Sequence, residues 1–124
     1  MAGELILLVE DNEKNRKLER DVLHAKGYRT IEAETGEDAV RLARERLPAL
    51  VLMDIELPGI DGIAALRQLR ADSVTRAIPV IAVTASVMSH DRQKVMAAGF
   101  DGYQPKPIRL KEFLEAVRAT LEQK

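Results

Sequence analysis

The sequence contains no cysteine, which excludes disulfide bonds, thiolate catalysis and cysteine-based zinc sites. It has no excess of either charge: 19 basic and 20 acidic side chains give a formal net charge of -1, which favours neither nucleic acid nor a membrane surface as a direct partner. Long apolar runs are missing too. Only five apolar residues precede the first charged cluster in MAGELILLVED, too few for a signal-peptide core or a membrane span. These absences favour a cytoplasmic protein.

The remaining composition is that of one ordinary globular domain: 124 residues, 46% hydrophobic and 31% charged. We therefore expect residues 1–124 to form a single domain with no output domain, unless the chain was excised from a longer protein. Short apolar runs bounded by polar residues predict five strands. These cover residues 5–9, 29–33, 50–53, 78–83 and 102–104.

Apolar residues three and four positions apart predict a helix after each strand. The stripes are Leu18, Val22 and Ala25; Ala39, Val40, Ala43 and Leu47; Ile63, Leu66 and Leu69; Val87, Val95 and Ala98; and Leu110, Phe113, Leu114, Val117 and Leu121. Gly27 is placed to end the first helix. Strict alternation of strand and helix predicts an α/β fold, a doubly wound parallel sheet of five strands with helices on both faces.

Polar side chains stand at the carboxyl ends of four predicted strands, where ligands bind in such folds. They are Glu10 and Asp11; Asp54 and Glu56; Thr84; and Lys106, followed by Pro107. Crowded carboxylates repel one another, and Mg²⁺ is the divalent cation that best fits such oxygen ligands. A carboxylate beside that ion can attack phosphorus, while a hydroxyl and an ammonium bind the remaining oxygens. This group is complete for phosphorylation of an aspartate.

The segments LILLVEDN, LVLMDIELPGIDG, IPVIAVTA and GYQPKPI, in this order, closely resemble the receiver domains of two-component response regulators. Among receivers, the chain is most similar to stand-alone regulators of the DivK type. The resemblance implies a flavodoxin-like (βα)5 fold with strand order 2-1-3-4-5. It also implies a sensor histidine kinase or a histidine phosphotransfer protein as the phosphoryl donor.

The resemblance further implies that Asp54 is the phosphoacceptor. Asp11 and Asp54 would bind Mg²⁺ through their side chains, Glu10 would help through water, and the main-chain carbonyl of Glu56 would complete the protein ligands. In many family members an aspartate replaces Glu10, a change that preserves the chemistry. Glu56 and Ser86 occupy positions that tune dephosphorylation in the family, so the lifetime of the phosphorylated state stays open.

For the phosphoryl group, the resemblance implies contacts from Thr84 and Lys106, with a cis peptide before Pro107. Tyr103 matches an aromatic switch position that turns inward as Thr84 is drawn toward the phosphate. The surface that signals to a downstream protein would comprise helix four, strand five and helix five. The protein would be a monomer or a weak dimer that depends on phosphorylation.

Each of these residues taken alone has an ordinary structural explanation: Asp11 as a helix cap, Thr84 as a strand end, Lys106 as a surface lysine, and Tyr103 as core. A phosphatase of the haloacid dehalogenase type would use similar groups, but its nucleophile belongs to the first strand. A phosphate-independent receiver usually loses the acceptor, the acidic pair or the lysine. A nucleotide-binding protein would have a glycine-rich loop after the first strand. The favoured interpretation is a phosphorylated signalling switch and not an enzyme.

Overall fold

The computed structural model describes residues 3–85 and 89–123, of which 89–91 are described by their backbone only. Ser86 and Val87, which the sequence placed near the site and in the fourth helix, lie outside the described residues. In this part of the chain, five strands alternate with five helices. Their order is β1 Leu5–Val9, α1 Glu13–Ala25, β2 Arg29–Ala33, α2 Gly36–Arg46, β3 Leu50–Asp54, α3 Gly62–Ala71, β4 Val80–Thr84, α4 Ser89–Ala97, β5 Gly102–Pro105 and α5 Leu110–Glu122.

The strands form one parallel sheet in the order β2-β1-β3-β4-β5, which confirms the predicted doubly wound topology. The register aligns the carboxyl ends of the central strands. Val9 of β1 is paired with Met53 of β3, so Glu10 follows at the level of Asp54. Thr84 of β4 is paired with Pro105 of β5, immediately before Lys106. Sheet pairing alone therefore brings the polar strand ends together.

Apolar side chains pack on both faces of the sheet because successive strand residues point to opposite sides. In β1, Leu7 and Val9 belong to the core beneath α2, α3 and α4, whereas Ile6 and Leu8 belong to the core beneath α1 and α5. The predicted stripes of the third and fifth helices supply central members of these cores, with Leu66 and Phe113 fully buried. Among the described residues, no helix combines the length and the apolar character needed to cross a membrane.

The ends of two strands differ from the prediction. The fourth strand was predicted from residue 78 but begins at Val80, because Pro79 has no N–H to donate to a neighbouring strand. Pro79 still accepts a hydrogen bond from the Val51 N–H at 3.0 Å. At the other end, Asp54 and Thr84 are the last residues of β3 and β4, not the first residues after them. Both side chains are consequently buried, 5% and 1% exposed.

The apolar stripe predicted for α1 is wrong. Leu18 is 44% exposed and Ala25 is also exposed, while Val22 is only partly buried. The residues that α1 buries are Glu19 and Leu23, four positions apart on one helical face. The predicted stripe does not include Glu19, and because carboxylates are rarely buried, the apolar pattern alone sets the rotation of the helix incorrectly.

Two further stripe residues are exposed, and both lie at helix ends. Leu47 is 57% exposed and has a left-handed φ of 48° just after α2, and Leu110 is 51% exposed at the start of α5. Residues at helix ends lie beyond the last turn that contacts the sheet. The predicted apolar stripes therefore extend past the buried part of each helix. Gly27, with φ of 88°, follows the end of α1 as predicted, in a conformation that favours glycine.

Burial raises the pKa of Glu19 to about 8. The nearby negative charges of Glu10 and Asp54 contribute to this rise in pKa, and the positive charge of Lys106 opposes it. Because the ordinary value is 4.5, the native protein holds a proton at Glu19 over a pH range in which the unfolded chain has lost it. The stability that this difference contributes is complete below about pH 4.5 and is lost as the pH rises through about 8.

The corrected face of α1 predicts unequal effects of two leucine truncations. Leu23→Ala should lower the free energy of unfolding by about 2–5 kcal/mol, because it leaves a cavity in the core. Leu18→Ala, on the same helix but 44% exposed, should change it by less than about 0.5 kcal/mol. Urea unfolding followed by circular dichroism measures both. Equal losses would contradict the observed rotation of the helix.

The raised pKa of Glu19 predicts how a Glu19→Gln variant responds to pH. Relative to this variant, the wild type should lose up to about 1.4 kcal/mol of unfolding free energy for each pH unit between about 5 and 8. Above about pH 8 the difference should level off. Urea unfolding in a chelating buffer measures it, and Glu115→Gln, at an exposed glutamate of α5, is the matched control. A constant difference between wild type and Glu19→Gln at all pH values would contradict the assignment.

Candidate functional site

The centre of the site is an ammonium group between two buried carboxylates. The Nζ of Lys106 donates hydrogen bonds to Oδ2 of Asp54 at 2.9 Å and to the carboxylate of Glu10. Glu10 and Asp54 are 2% and 5% exposed, and the Lys106 side chain is 14% exposed. The structure thus brings together residues from β1, β3 and the turn after β5, as the sequence predicted.

A third carboxylate completes an acidic cluster. One carboxylate oxygen each from Glu10, Asp11 and Asp54 can be chosen so that all three atoms lie within 4.8 Å of one another. Asp11 is exposed, so the cluster opens to solvent. With Lys106 as the only ammonium bonded to it among the described residues, the cluster keeps negative charge when its carboxylates are ionised. Oxygen ligands with this charge fit a hard divalent cation.

The cluster forms one wall of an open cleft of about 320 Å³. The cleft is lined by Glu10, Asp11, Asn12, Asn15, Asp54, Glu56, Ala85 and Lys106. Glu56 is exposed, and its backbone N–H donates to Oδ1 of Asp54 at 3.1 Å. The two oxygens of Asp54 therefore have different partners, one a main-chain amide and the other an ammonium.

Burial and hydrogen bonding shift the pKa of Glu10 in opposite directions, and the same is true of the pKa of Lys106. Burial raises the pKa of Glu10, although hydrogen bonds from Lys106 and from the Asn12 N–H partly offset this effect, and the negative charge of Asp54 adds to it. For Lys106, burial would lower the pKa, but hydrogen bonds to Glu10 and Asp54 outweigh burial and raise it. Lys106 is therefore a permanent cation at neutral pH.

The turn between β1 and α1 is held by residues that the sequence analysis missed. Asn12 caps α1, since its side chain accepts from the Asn15 N–H at 3.1 Å, and its own N–H donates to Oε2 of Glu10 at 3.1 Å. Arg16 donates to the Glu10 carbonyl at 2.8 Å and to Oε1 of Glu32 at 2.7 Å. An asparagine before a helix is a recognisable capping signal, but the Arg16 contacts had no signal in the sequence.

The loop between β3 and α3 depends on a close backbone approach at Gly62. The Gly62 N–H donates to the Ile55 carbonyl at 2.9 Å, and a Cβ built on Gly62 would lie 2.4 Å from the carbonyl oxygen of Asp54. Any larger residue would push α3 away from the end of β3. A glycine at this position therefore helps to fix Asp54 at the edge of the cleft.

Thr84 lies at the end of β4, and its carbonyl accepts from the Lys106 N–H at 2.8 Å. This hydrogen bond ties the carboxyl ends of β4 and β5 together beside Asp54. The Lys106–Pro107 peptide is cis. Thr84 is 1% exposed, and the next residue, Ala85, lines the cleft.

Tyr103 is not brought into the acidic cleft. It is half-buried on β5, packs against the core, and has its ring 5.5 Å from the Arg92 guanidinium carbon. It lines a separate surface cavity of about 270 Å³ together with Arg92, Gln104, Pro105, Arg109 and Glu112. This cavity lies on the face formed by α4, β5 and α5.

Comparison with known proteins identifies the family. Residues 6–118 match the family described as the response regulator receiver domain. The chain is 44% identical over 116 residues to the polar-differentiation response regulator DivK of Brucella ovis, a match that covers 94% of each protein. The DivK protein of Brucella anthropi matches equally well. These relatives are therefore little longer than the matched domain.

Solved structures agree with this assignment. One similar structure is the receiver domain of a sensor histidine kinase from Pseudomonas aeruginosa, which contains a magnesium ion in its active-site cleft. It matches with a TM-score of 0.90 and 36% identity, over 98% of this chain and 99% of that one. A response regulator from Chloroflexus aurantiacus has a TM-score of 0.92 and 28% identity, with 97% and 98% covered. Sequence and fold thus agree, and the chain belongs to the response regulator receiver domain family, with DivK-type single-domain regulators among its relatives.

Proposed function

We propose that Asp54 is the phosphoacceptor of this receiver. The observation that supports this most strongly is the position of its carboxylate, at a strand end, beside two further carboxylates and bonded to the Lys106 ammonium. A carboxylate oxygen of Asp54 would attack phosphorus while the bond from phosphorus to a histidine nitrogen of the donor breaks. The donor imidazole keeps the electron pair of that bond and takes up a proton.

We propose Mg²⁺ as the ion that the acidic cluster binds, through the side chains of Asp11 and Asp54, the carbonyl of Glu56 and a water held by Glu10. When bound, the ion supplies positive charge next to the transferring phosphoryl group. Three convergent carboxylates with a single ammonium fit such an ion, because the cluster keeps negative charge after Lys106 is counted. The exposed Asp11 leaves the site open toward a donor protein.

Lys106 and Thr84 are proposed to bind the phosphoryl oxygens. Lys106 already contacts Oδ2 of Asp54, so only a small displacement of its ammonium is needed to reach an oxygen attached there. Thr84 lies at the adjacent strand end and is linked to the Lys106 backbone. The two groups would offset the charge that phosphorylation adds to a buried position.

We infer that phosphorylation shifts an equilibrium between two forms of the face made by α4, β5 and α5. Tyr103 lies on this face and packs against the core beside β4, so a movement of Thr84 along β4 can reach it. Coupling of this kind is typically worth about 1–3 kcal/mol, or roughly 5 to 150-fold in partner affinity. The protein would act in the cytoplasm as a switch and not as a turnover enzyme. It would be a monomer or a weak phosphorylation-dependent dimer.

The proposed phosphoacceptor predicts a mass change that requires both Asp54 and Mg²⁺. After incubation with acetyl phosphate and Mg²⁺, intact-mass spectrometry should show one phosphoryl adduct on the wild type. Asp54→Ala should remain folded and show no adduct, because the attacking oxygen is missing. Asp21→Asn, at an exposed carboxylate of α1, is the matched control and should be labelled like the wild type.

An adduct on Asp54→Ala, or labelling of the wild type that persists in a chelating buffer, would contradict the assignment of Asp54 as a Mg²⁺-dependent phosphoacceptor. Failure of the wild type to gain any adduct, together with failure to bind beryllofluoride, would favour a receiver that works without phosphate.

A further inference from the structure

Glu19 is a buried polar group that the proposed function leaves without a role. The other buried polar side chain outside the site, Thr75, donates to the Leu69 carbonyl at 2.8 Å. Glu19 is 3% exposed, and the charges that act on its carboxyl are those of Glu10, Asp54 and Lys106. A carboxyl with so little exposure is costly unless water or another polar group reaches it.

Glu19 lines a small cavity that Lys106 of the site also lines. This cavity, of about 30 Å³, is lined by Asn15, Leu18, Glu19, Lys106, Pro107 and Ile108. It lies between α1 and the turn that carries Lys106. The volume is enough for one water molecule, and three lining residues have polar side chains that could bind it.

We propose that Glu19 is a positioning residue for Lys106, joined to it through one water molecule bound in this cavity. The inference deepens the proposed function and rests on it, because the ammonium that Glu19 would orient is the one proposed to bind the phosphoryl group. It adds a residue of α1 to the groups around Lys106.

The donors of Lys106 support this arrangement. An ammonium has three N–H groups, and two of them are used by Glu10 and Asp54. The third can donate to a water, and that water can donate in turn to the carbonyl oxygen of Glu19. These two hydrogen bonds through water give the buried carboxyl a partner and fix the direction of the third N–H of the ammonium.

The charge state of Glu19 is also suitable. Burial, with the negative charges of Glu10 after β1 and Asp54 of β3, raises its pKa to about 8, and the positive charge of Lys106 in the turn after β5 opposes this rise. At neutral pH the protonated, uncharged form of the carboxyl therefore predominates. A neutral oxygen can orient Lys106 through water without drawing the cation away from Asp54, as a carboxylate would.

Two kinds of variant separate the polar role of Glu19 from its role in packing. Glu19→Met removes the oxygens but keeps the length of the side chain, and Glu19→Leu is a second apolar variant. Glu19→Gln keeps a carbonyl oxygen that can accept from the water. Leu23→Met, one turn further on the same buried face, is the packing control.

Nitrogen-detected NMR of the Lys106 ammonium at pH 6.5 is the direct readout, and the rate of labelling by acetyl phosphate is the functional one. In both apolar variants the Lys106 signal should shift, and the ammonium protons of Lys106 should exchange with water faster. Labelling by acetyl phosphate should slow about fivefold, the effect of losing one ordinary hydrogen bond. Glu19→Gln and Leu23→Met should keep the Lys106 signal and label at a rate within about twofold of the wild type.

A Lys106 signal and a labelling rate that are unchanged in folded Glu19→Met and Glu19→Leu would overturn the inference. Equal changes in Leu23→Met would overturn it as well, since they would arise from packing alone. If no protein, including the wild type, is labelled, the proposed function fails. The Lys106 signal of the unphosphorylated proteins still decides the role of Glu19 in that case.

Discussion

Two buried carboxylates at adjacent strand ends share one ammonium, and the rest of the structure depends on how that charge is held. Glu10 and Asp54 are nearly inaccessible to solvent, so their mutual repulsion is weakly screened and Lys106 must lie between them. The one positive charge of Lys106 does not neutralise the three carboxylates of Glu10, Asp54 and Asp11. The residual negative charge is the physical reason that the cleft suits a divalent cation.

The fold keeps these charges together by short-range restraints on each strand end. Asn12 and Arg16 hold the turn after β1, and Gly62 lets α3 pack directly against the backbone of Asp54. A hydrogen bond from the Lys106 N–H to the Thr84 carbonyl joins the last two strand ends. Because the hydrogen bonds from Arg16, Gly62 and the Lys106 N–H are all accepted by backbone carbonyls, side chains can exchange partners while the sheet stays in place. Such a site can gain a phosphoryl group without losing its core.

Strand order and the set of strand-end residues could be predicted because they depend on local patterns. Apolar runs mark the strands, and parallel pairing then places Glu10, Asp54 and Lys106 at one edge whatever the details of packing. The rotation of α1 could not be predicted, since a buried Glu19 contradicts the usual preference of carboxylates for solvent. Its environment includes residues distant in sequence, such as Lys106, Pro107 and Ile108 of the turn after β5, which no local period contains. The contacts of Arg16 were missed for the same reason.

The most direct test of this account is the free energy of unfolding of the wild type and Lys106→Met at pH 7.5, with and without Mg²⁺. Without Mg²⁺, the variant should lose about 3–5 kcal/mol, because two buried carboxylates are left uncompensated. Mg²⁺ should stabilise both proteins, and the variant more strongly, because the ion then offsets charge that Lys106 no longer offsets. If the variant is as stable as the wild type and neither responds to Mg²⁺, the shared charge is not what the site depends on.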